Sequence, residues 1–192
     1  MTCMSNPIPP FDHNLVLPPH KGNPTIPADL SPYQCTTFDL CDRFATTSER
    51  IRILTGFLEF RKILRANGLK NAIQWLDGSF LEDVETRDGR DPRDLDLVTI
   101  YWGYDQAFQN SLMAGLPEFA NSMLSKQRFL LDHYPFDATY NPLFTVDYTR
   151  YWVQLFSHNR NGVWKGMLSI SLDTEADDLM AANFLKVKNL MP

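Results

Sequence analysis

Residues 94–101 read Asp94-Leu95-Asp96-Leu97-Val98-Thr99-Ile100-Tyr101, and this run constrains the chain more than any other. Carboxylates alternate with apolar side chains, and the run ends in β-branched and aromatic residues. That is the pattern of a strand with one buried face. Residues two apart point the same way along a strand, so Asp94 and Asp96 project together while Leu95 and Leu97 turn into a core. Two carboxylates held that close disfavour each other's ionisation and need a proton or a cation. Divalent magnesium or manganese suits them, because both prefer oxygen ligands, and magnesium also takes phosphate oxygens.

A second element lies upstream. Ala72-Ile73-Gln74-Trp75-Leu76 reads as a short strand that stops at Asp77-Gly78-Ser79. A glycine directly after a strand lets a ligand approach the backbone. Free N–H groups of a following turn, which Phe80-Leu81-Glu82-Asp83 can supply, together with the Ser79 hydroxyl, suit phosphate oxygens.

Around these lie further predicted elements. Ser48 is positioned to cap a helix whose apolar side is Ile51, Ile53, Leu54, Phe57, Leu58, Phe60 and Leu64, with Asn67-Gly68 as its stop. Residues 105–131 read as mostly helical, with Pro117 breaking the run or opening a new helix. Phe136 to Tyr140 reads as a third strand and Gly166 to Leu172 as a fourth. Tyr148 to Phe156 is aromatic-rich and fits either type. Thr174 and Asp177 mark the start of a last helix striped by Leu179, Met180, Phe184 and Val187.

Eight of the 13 prolines fall within residues 1–35, and only Asp12, Lys21 and Asp29 carry charge there. Proline fixes φ and removes a donor, so this segment is expected to be extended. Its scattered apolar residues predict an arm, residues 1–40, lying against a body of residues 41–192 or against a partner. The length and the 44% hydrophobic content suit one domain with such an appendage.

Trp75-Leu76-Asp77-Gly78-Ser79 followed by Asp94-Leu95-Asp96-Leu97-Val98 resembles the DNA polymerase β-like nucleotidyltransferase superfamily, in particular its small bacterial stand-alone branch. There an apolar strand ending in Gly-Ser or Gly-Gly leads, after a spacer, to Asp-apolar-Asp-apolar on the next strand. Fourteen residues form the spacer here, and the resemblance covers residues 48–140. It implies an α/β (α+β) fold with a mixed sheet flanked by helices. It also implies two metal ions, Mg2+ or Mn2+, and transfer of a nucleoside monophosphate from a nucleoside triphosphate such as ATP, with release of pyrophosphate. Asp94 and Asp96 would bind metal, with a third carboxylate on a later strand. Asp137 is the best match for it, and Asp132 and Asp147 are the alternatives. Gly78 and Ser79 would hold the triphosphate. Lys165 and Arg160, flanking the turn Asn161-Gly162, would stabilise phosphate charge. The acceptor would be a hydroxyl of a protein or a tRNA, in a toxin–antitoxin or phage-defence (antiviral) setting. The alternative is a catalytically inactive module of this fold, acting as a nucleotide sensor or protein-interaction scaffold.

Charge and composition narrow the field. A formal net charge of −5 disfavours a long DNA or RNA footprint. No apolar run approaches the ~20 residues a membrane helix needs. The N-terminal residues lack a signal-peptide layout. Cys3, Cys35 and Cys41 are an odd set without a CxxC pair, so a cytoplasmic setting is expected, with Cys35 and Cys41 as small buried residues. The plainer expectations for other features are structural. The charged stretch Glu82 to Arg93 reads as a solvated excursion, or else a lid. The aromatic cluster from Phe144 to Phe156 reads as core or interface rather than a base-stacking platform. His133 and His158 read as ordinary hydrogen-bonded residues. Asn159 to Gly162 reads as a hairpin turn between Tyr151–Ser157 and Val163–Leu172.

Overall fold

The computed structural model describes residues 7–189, so Cys3 and the N-terminal residues lie outside it. Among the described residues the strands are β1 (Tyr33–Gln34), β2 (Ala72–Asp77), β3 (Leu95–Tyr101), β4 (Leu131–Asp137) and β5 (Leu168–Ser171). They form one five-stranded sheet in the order β1-β5-β2-β3-β4. β2 runs antiparallel to both β3 and β5, whereas β4 is parallel to β3 and β1 parallel to β5. The sheet is therefore mixed, as expected of an α/β (α+β) fold.

Strand alternation sends side chains to two cores. Leu95 and Leu97 of β3 enter the larger one, fully buried with Phe57, Phe60 and Leu64 of α2 (Ser48–Ala66), Phe44 of α1 (Thr37–Phe44) and Leu185 of α7 (Glu175–Asn189). Val98 and Ile100 face the other way, against Phe136 of β4 and Trp152 and Phe156 of α6 (Pro142–Phe156). Each large apolar side chain fully buried in these layers contributes about 1.5–3 kcal/mol. Helices thus cover both faces, and the end of the sheet where β2 stops and β3 begins stays open. The cap of α2 lies one residue before the expected one: the Thr47 side chain accepts from the Arg50 N–H. It stops at Ala66, followed by Gly68 at φ +88°. Behind the sheet, the buried Arg61 donates to Asp178 at 2.9 Å, Gln74 at 2.7 Å and the Ser171 carbonyl at 2.8 Å. That network ties α2, β2, β5 and α7 together.

The proline-rich segment lies against the body. Val16, Leu17 and Tyr33 are buried, the Gly166 N–H donates to the Leu17 carbonyl at 2.7 Å, and β1 completes the sheet. Several expectations change. The expected boundary at residue 40 falls inside α1, whose capping box is built on Thr36 and Asp39. Tyr148 to Phe156 is helical, so the turn at Asn159–Gly162 joins a helix to an extended segment, with only a His158–Trp164 bridge of hairpin type. Pro142 at N1 and the Asn141 side chain, which accepts from Leu143 and Phe144 N–H groups, start that helix. The stretch from Glu82 to Arg93 is pinned at its start, while Thr86, Asp88, Gly89, Arg90, Asp91 and Arg93 are exposed, as expected of a solvated excursion. It holds α3 (Val84–Asp88), capped by Asp83, and Glu85 pairs with the buried Arg50 at 2.5 Å. The third strand begins five residues earlier than expected, at Leu131.

Candidate active site

The open end of the sheet gathers aspartates. Asp77 closes β2 and stands opposite Asp96 on β3, and Asp96 in turn stands beside Asp132 on β4. All lie on the face that carries Trp75, Val98 and Phe136, because residues two apart share a face. Strands lie about 4.8 Å apart, so one row of carboxylates crosses three neighbouring strands. Asp94 precedes Asp96 by two and adds to the row on the same side. Gly78 makes the row possible. It sits at φ +87°, and a Cβ there would lie 1.8 Å from Asp96 Oδ2. The Asp96 carboxylate therefore rests against bare backbone, in a conformation that favours glycine.

Such crowding needs countercharge, and Lys165 supplies it. Its side chain is 2% exposed, with Nζ 2.8 Å from Glu82 Oε1, 2.9 Å from Asp77 Oδ1 and 3.1 Å from the Gly78 carbonyl. The contacts to Glu82 and Gly78 are hydrogen bonds, whereas that to Asp77 is an ion pair without hydrogen-bond alignment. Burial pushes the Asp77 carboxyl up to about 7, against the pull of Lys165. Burial also pushes Asp96 up to about 6, and the Asp94 and Asp132 carboxylates add to the effect. Burial acts on Glu82 in the same direction, but Lys165 and Arg87 prevail and hold it below the usual carboxylate range. Lys126 of α5 (Ser122–Phe129) pairs with Asp94, and that hydrogen bond raises its own proton affinity.

Above this floor opens a cavity of about 570 Å3. Asp94, Asp96, Asp132, Gly78 and Ser79 line its base, and Arg87, Arg90, Arg93, Lys126 and Arg160 line its wall. An acidic floor under a cationic wall suits a divalent cation carrying a polyphosphate, since the metal takes carboxylate and phosphate oxygens together. The carboxylates are oxygen donors of the kind magnesium and manganese take. No group of three His, Cys, Asp or Glu side chains among the described residues is already drawn together at ligand spacing. Neighbouring carboxylates would close around the ion by side-chain rotation, with Asp94 leaving Lys126.

Of the residues singled out in the sequence, Asp94, Asp96, Gly78, Ser79, Lys165 and Arg160 all line this cavity. Asp137 does not. It pairs with Tyr101 at the far end of β3, where it accepts from Gln109 Nε2 at 2.8 Å and from the Thr139 N–H at 2.9 Å. Asp132 takes its place, five residues earlier on the same strand. Asp147 lies on α6, outside this cavity. Lys165 donates to the Gly78 carbonyl and Glu82 and pairs with Asp77, which ties the Gly78 loop to its surroundings. β4 runs through Pro135, a residue that argues against a strand interior. β4 is an edge strand, where a missing donor is tolerated. Arg87, Arg90 and Arg93 were also missed as cavity residues, because the stretch holding them read as solvated. The buried His133 faces the opposite core and contacts Thr99 Oγ1 at 2.8 Å. Cys35 and Cys41 are free thiols that burial pushes up, Cys41 to about 12.

Residues 9–171 match a protein family described as being of unknown function (DUF6932). The chain belongs to that family. The DUF6932 match runs from the proline-rich segment through β5, so the segment that packs against Glu82 and Gly166 lies within the family's domain. No curated protein and no solved structure matches the chain. Among the described residues, no helix is long and apolar enough to cross a membrane.

Proposed function

We propose that this chain is a metal-dependent nucleotidyltransferase, moving a nucleoside monophosphate from a nucleoside triphosphate to a hydroxyl acceptor. One observation carries the reading: Asp94, Asp96 and Asp132 stand side by side on the floor of a cavity whose wall is cationic. Asp94, Asp96 and Asp132 would hold magnesium or manganese, which when bound would neutralise the triphosphate and polarise its α-phosphorus. Arg87, Arg90, Arg93 and Arg160 would take the outer phosphates by charge-assisted hydrogen bonds. Gly78 and Ser79 would present bare backbone and a hydroxyl to the phosphate nearest the metal. Asp132, at the side of the row away from Gly78, would receive the proton of the attacking hydroxyl. Lys165 is a positioning residue: through Glu82 and Gly78 it would keep the loop in register with Asp96. The resemblance to the DNA polymerase β-like superfamily supports the same reaction. It is also the ground for a protein or tRNA acceptor and a role in toxin–antitoxin or phage-defence systems, while the cysteine usage is the ground for a cytoplasmic setting.

A second reading rests on the Lys126–Asp94 ion pair. If that lysine permanently occupies the first aspartate, the fold serves as a nucleotide sensor or interaction scaffold without turnover. Incubation with each labelled nucleoside triphosphate and magnesium separates the two. The enzyme releases pyrophosphate, and Asp94→Ala, Asp96→Ala and Asp132→Ala each abolish release. Tight triphosphate binding without release from any triphosphate, alone or with protein or tRNA acceptors, overturns the transferase and leaves the sensor.

A further inference from the structure

A second cavity, of about 640 Å3, adjoins the first and shares Asp96 and Asp132 with it, so the two meet at the carboxylate row. Its walls are aromatic. Tyr148, Tyr151 and Trp152 share one side of α6 at helical spacing, and Tyr134 of β4 joins them. Trp152 is buried and braces two neighbours, with ring centroids 5.1 Å from Tyr151 and 5.3 Å from Tyr134. Core packing accounts for Trp152. It does not account for Tyr151, Tyr134 and Tyr148, which are 50%, 42% and 39% exposed. Apart from the two shared aspartates, the charged lining is one acid, Asp147, and one base, Arg150.

We infer that this second cavity seats the base of the nucleotide, stacked on the exposed tyrosine rings of α6 and β4. This rests on the reading of the first cavity as a metal-bound triphosphate site. Continuity is the first reason. The outer phosphates belong with the cations of the first cavity, and the metal row holds the α-phosphate where the two cavities meet. A nucleoside attached to that phosphate has the second cavity directly beside it. Charge is the second reason. Once metal ions take Asp96 and Asp132, Asp147 and Arg150 balance each other, and an uncharged group suits what is left. Shape is the third. Every base is flat and has a π-face, and each exposed ring offers another. Tyr151 and Tyr134 rest on the buried Trp152, so stacking costs them little of the freedom that a loose side chain would lose. A seat of this kind separates a nucleoside triphosphate from a bare polyphosphate, which the first cavity alone cannot do.

Calorimetry tests this without turnover. Tripolyphosphate and non-hydrolysable analogues of ATP and of UTP are each titrated, with magnesium, into the wild type, Tyr151→Ala, Tyr151→Phe and Val153→Ala. Tyr151→Ala is expected to weaken the tighter-binding analogue about tenfold or more, the scale of losing one stacked base, while tripolyphosphate binds as before. Unchanged tripolyphosphate binding also shows that the variant is folded. Tyr151→Phe keeps the ring and should bind as the wild type does. Val153 is exposed on α6 but does not line the cavity, so Val153→Ala should change neither affinity. Undiminished analogue affinity in Tyr151→Ala, a matching loss in Tyr151→Phe or Val153→Ala, or an equal loss for tripolyphosphate overturns the inference. If no ligand binds the wild type, the inference and the triphosphate site fall together. Analogue binding that depends on Tyr151, without pyrophosphate release from any nucleoside triphosphate, removes the transferase and leaves the base seat standing.

Discussion

Replacing Lys165 by methionine keeps the length of the side chain and removes only its charge. In the folded protein that charge lies within 2.9 Å of both Asp77 and Glu82, and all three side chains are almost wholly buried. Removing one partner of a buried ion pair leaves the other uncompensated and costs about 3–5 kcal/mol. Against a total stability of about 5–15 kcal/mol that is a large share. A chain of this size loses about 2–4 °C of melting temperature per kcal/mol, so the variant should melt about 6–20 °C lower at pH 8. The deficit should shrink as pH falls. Without Lys165, Glu82 loses the main cause of its lowered pKa but keeps Arg87, and the folded-state pKa of Asp77 rises further above that of the unfolded chain. Such a group contributes stability below its unfolded pKa and loses it as pH rises through the folded value. At pH 5 the Asp77 carboxyl can be protonated, so the gap between variant and wild type should be smaller than at pH 8. Thermal melts followed by circular dichroism at both pH values measure it. Adding Glu82→Gln should recover part of the loss at pH 8. A deficit below about 1 kcal/mol at pH 8, the level of an exposed pair, would refute the reasoning. So would a deficit that does not change with pH.

Other outcomes follow from the same geometry. Asp132→Asn should lower pyrophosphate release by about a hundredfold or more, the scale of losing a preorganised electrostatic group, whereas Asp137→Asn should leave it unchanged; the reverse pattern would return the third carboxylate to Asp137. Gly78→Ala should cost about 1–2 kcal/mol for the left-handed backbone alone and also displace Asp96, so magnesium binding by calorimetry should fall more than stability does. His133 is held down to about 3 by burial, far below its usual 6.5. The unfolded chain therefore binds the extra proton between those values, and stability falls as pH drops from 6.5 toward 3, by up to about 1.4 kcal/mol per pH unit. In His133→Leu that part of the acid sensitivity should vanish, as urea melts at pH 4 and pH 7 would show.

Much of this site is legible in the chain. Period-two alternation put Asp94 and Asp96 on one face and Leu95 and Leu97 in the core, and burial follows that division. Gly78 announced a close approach, since a turn after a strand at positive φ favours glycine. Helical spacing from Ile53 to Leu64 marked the buried side of α2, because a 3.6-residue period brings those side chains to one stripe. These are local facts, set by sterics and periodicity within a few residues.

What the tertiary structure alone decided concerns neighbours far apart in sequence. Asp132, not Asp137, joins the row because the register of β4 against β3 sets Asp132 beside Asp96, and register depends on which faces are buried across the whole sheet. Pro135 reads as a strand breaker until the strand order shows that β4 is an edge. Lys165 and Glu82 stand 83 residues apart, and nothing local marks them as an ion pair. Packing brings both out of water, where an unpaired charge would be too costly to keep, and so makes a surface-looking lysine the support of the Gly78 loop.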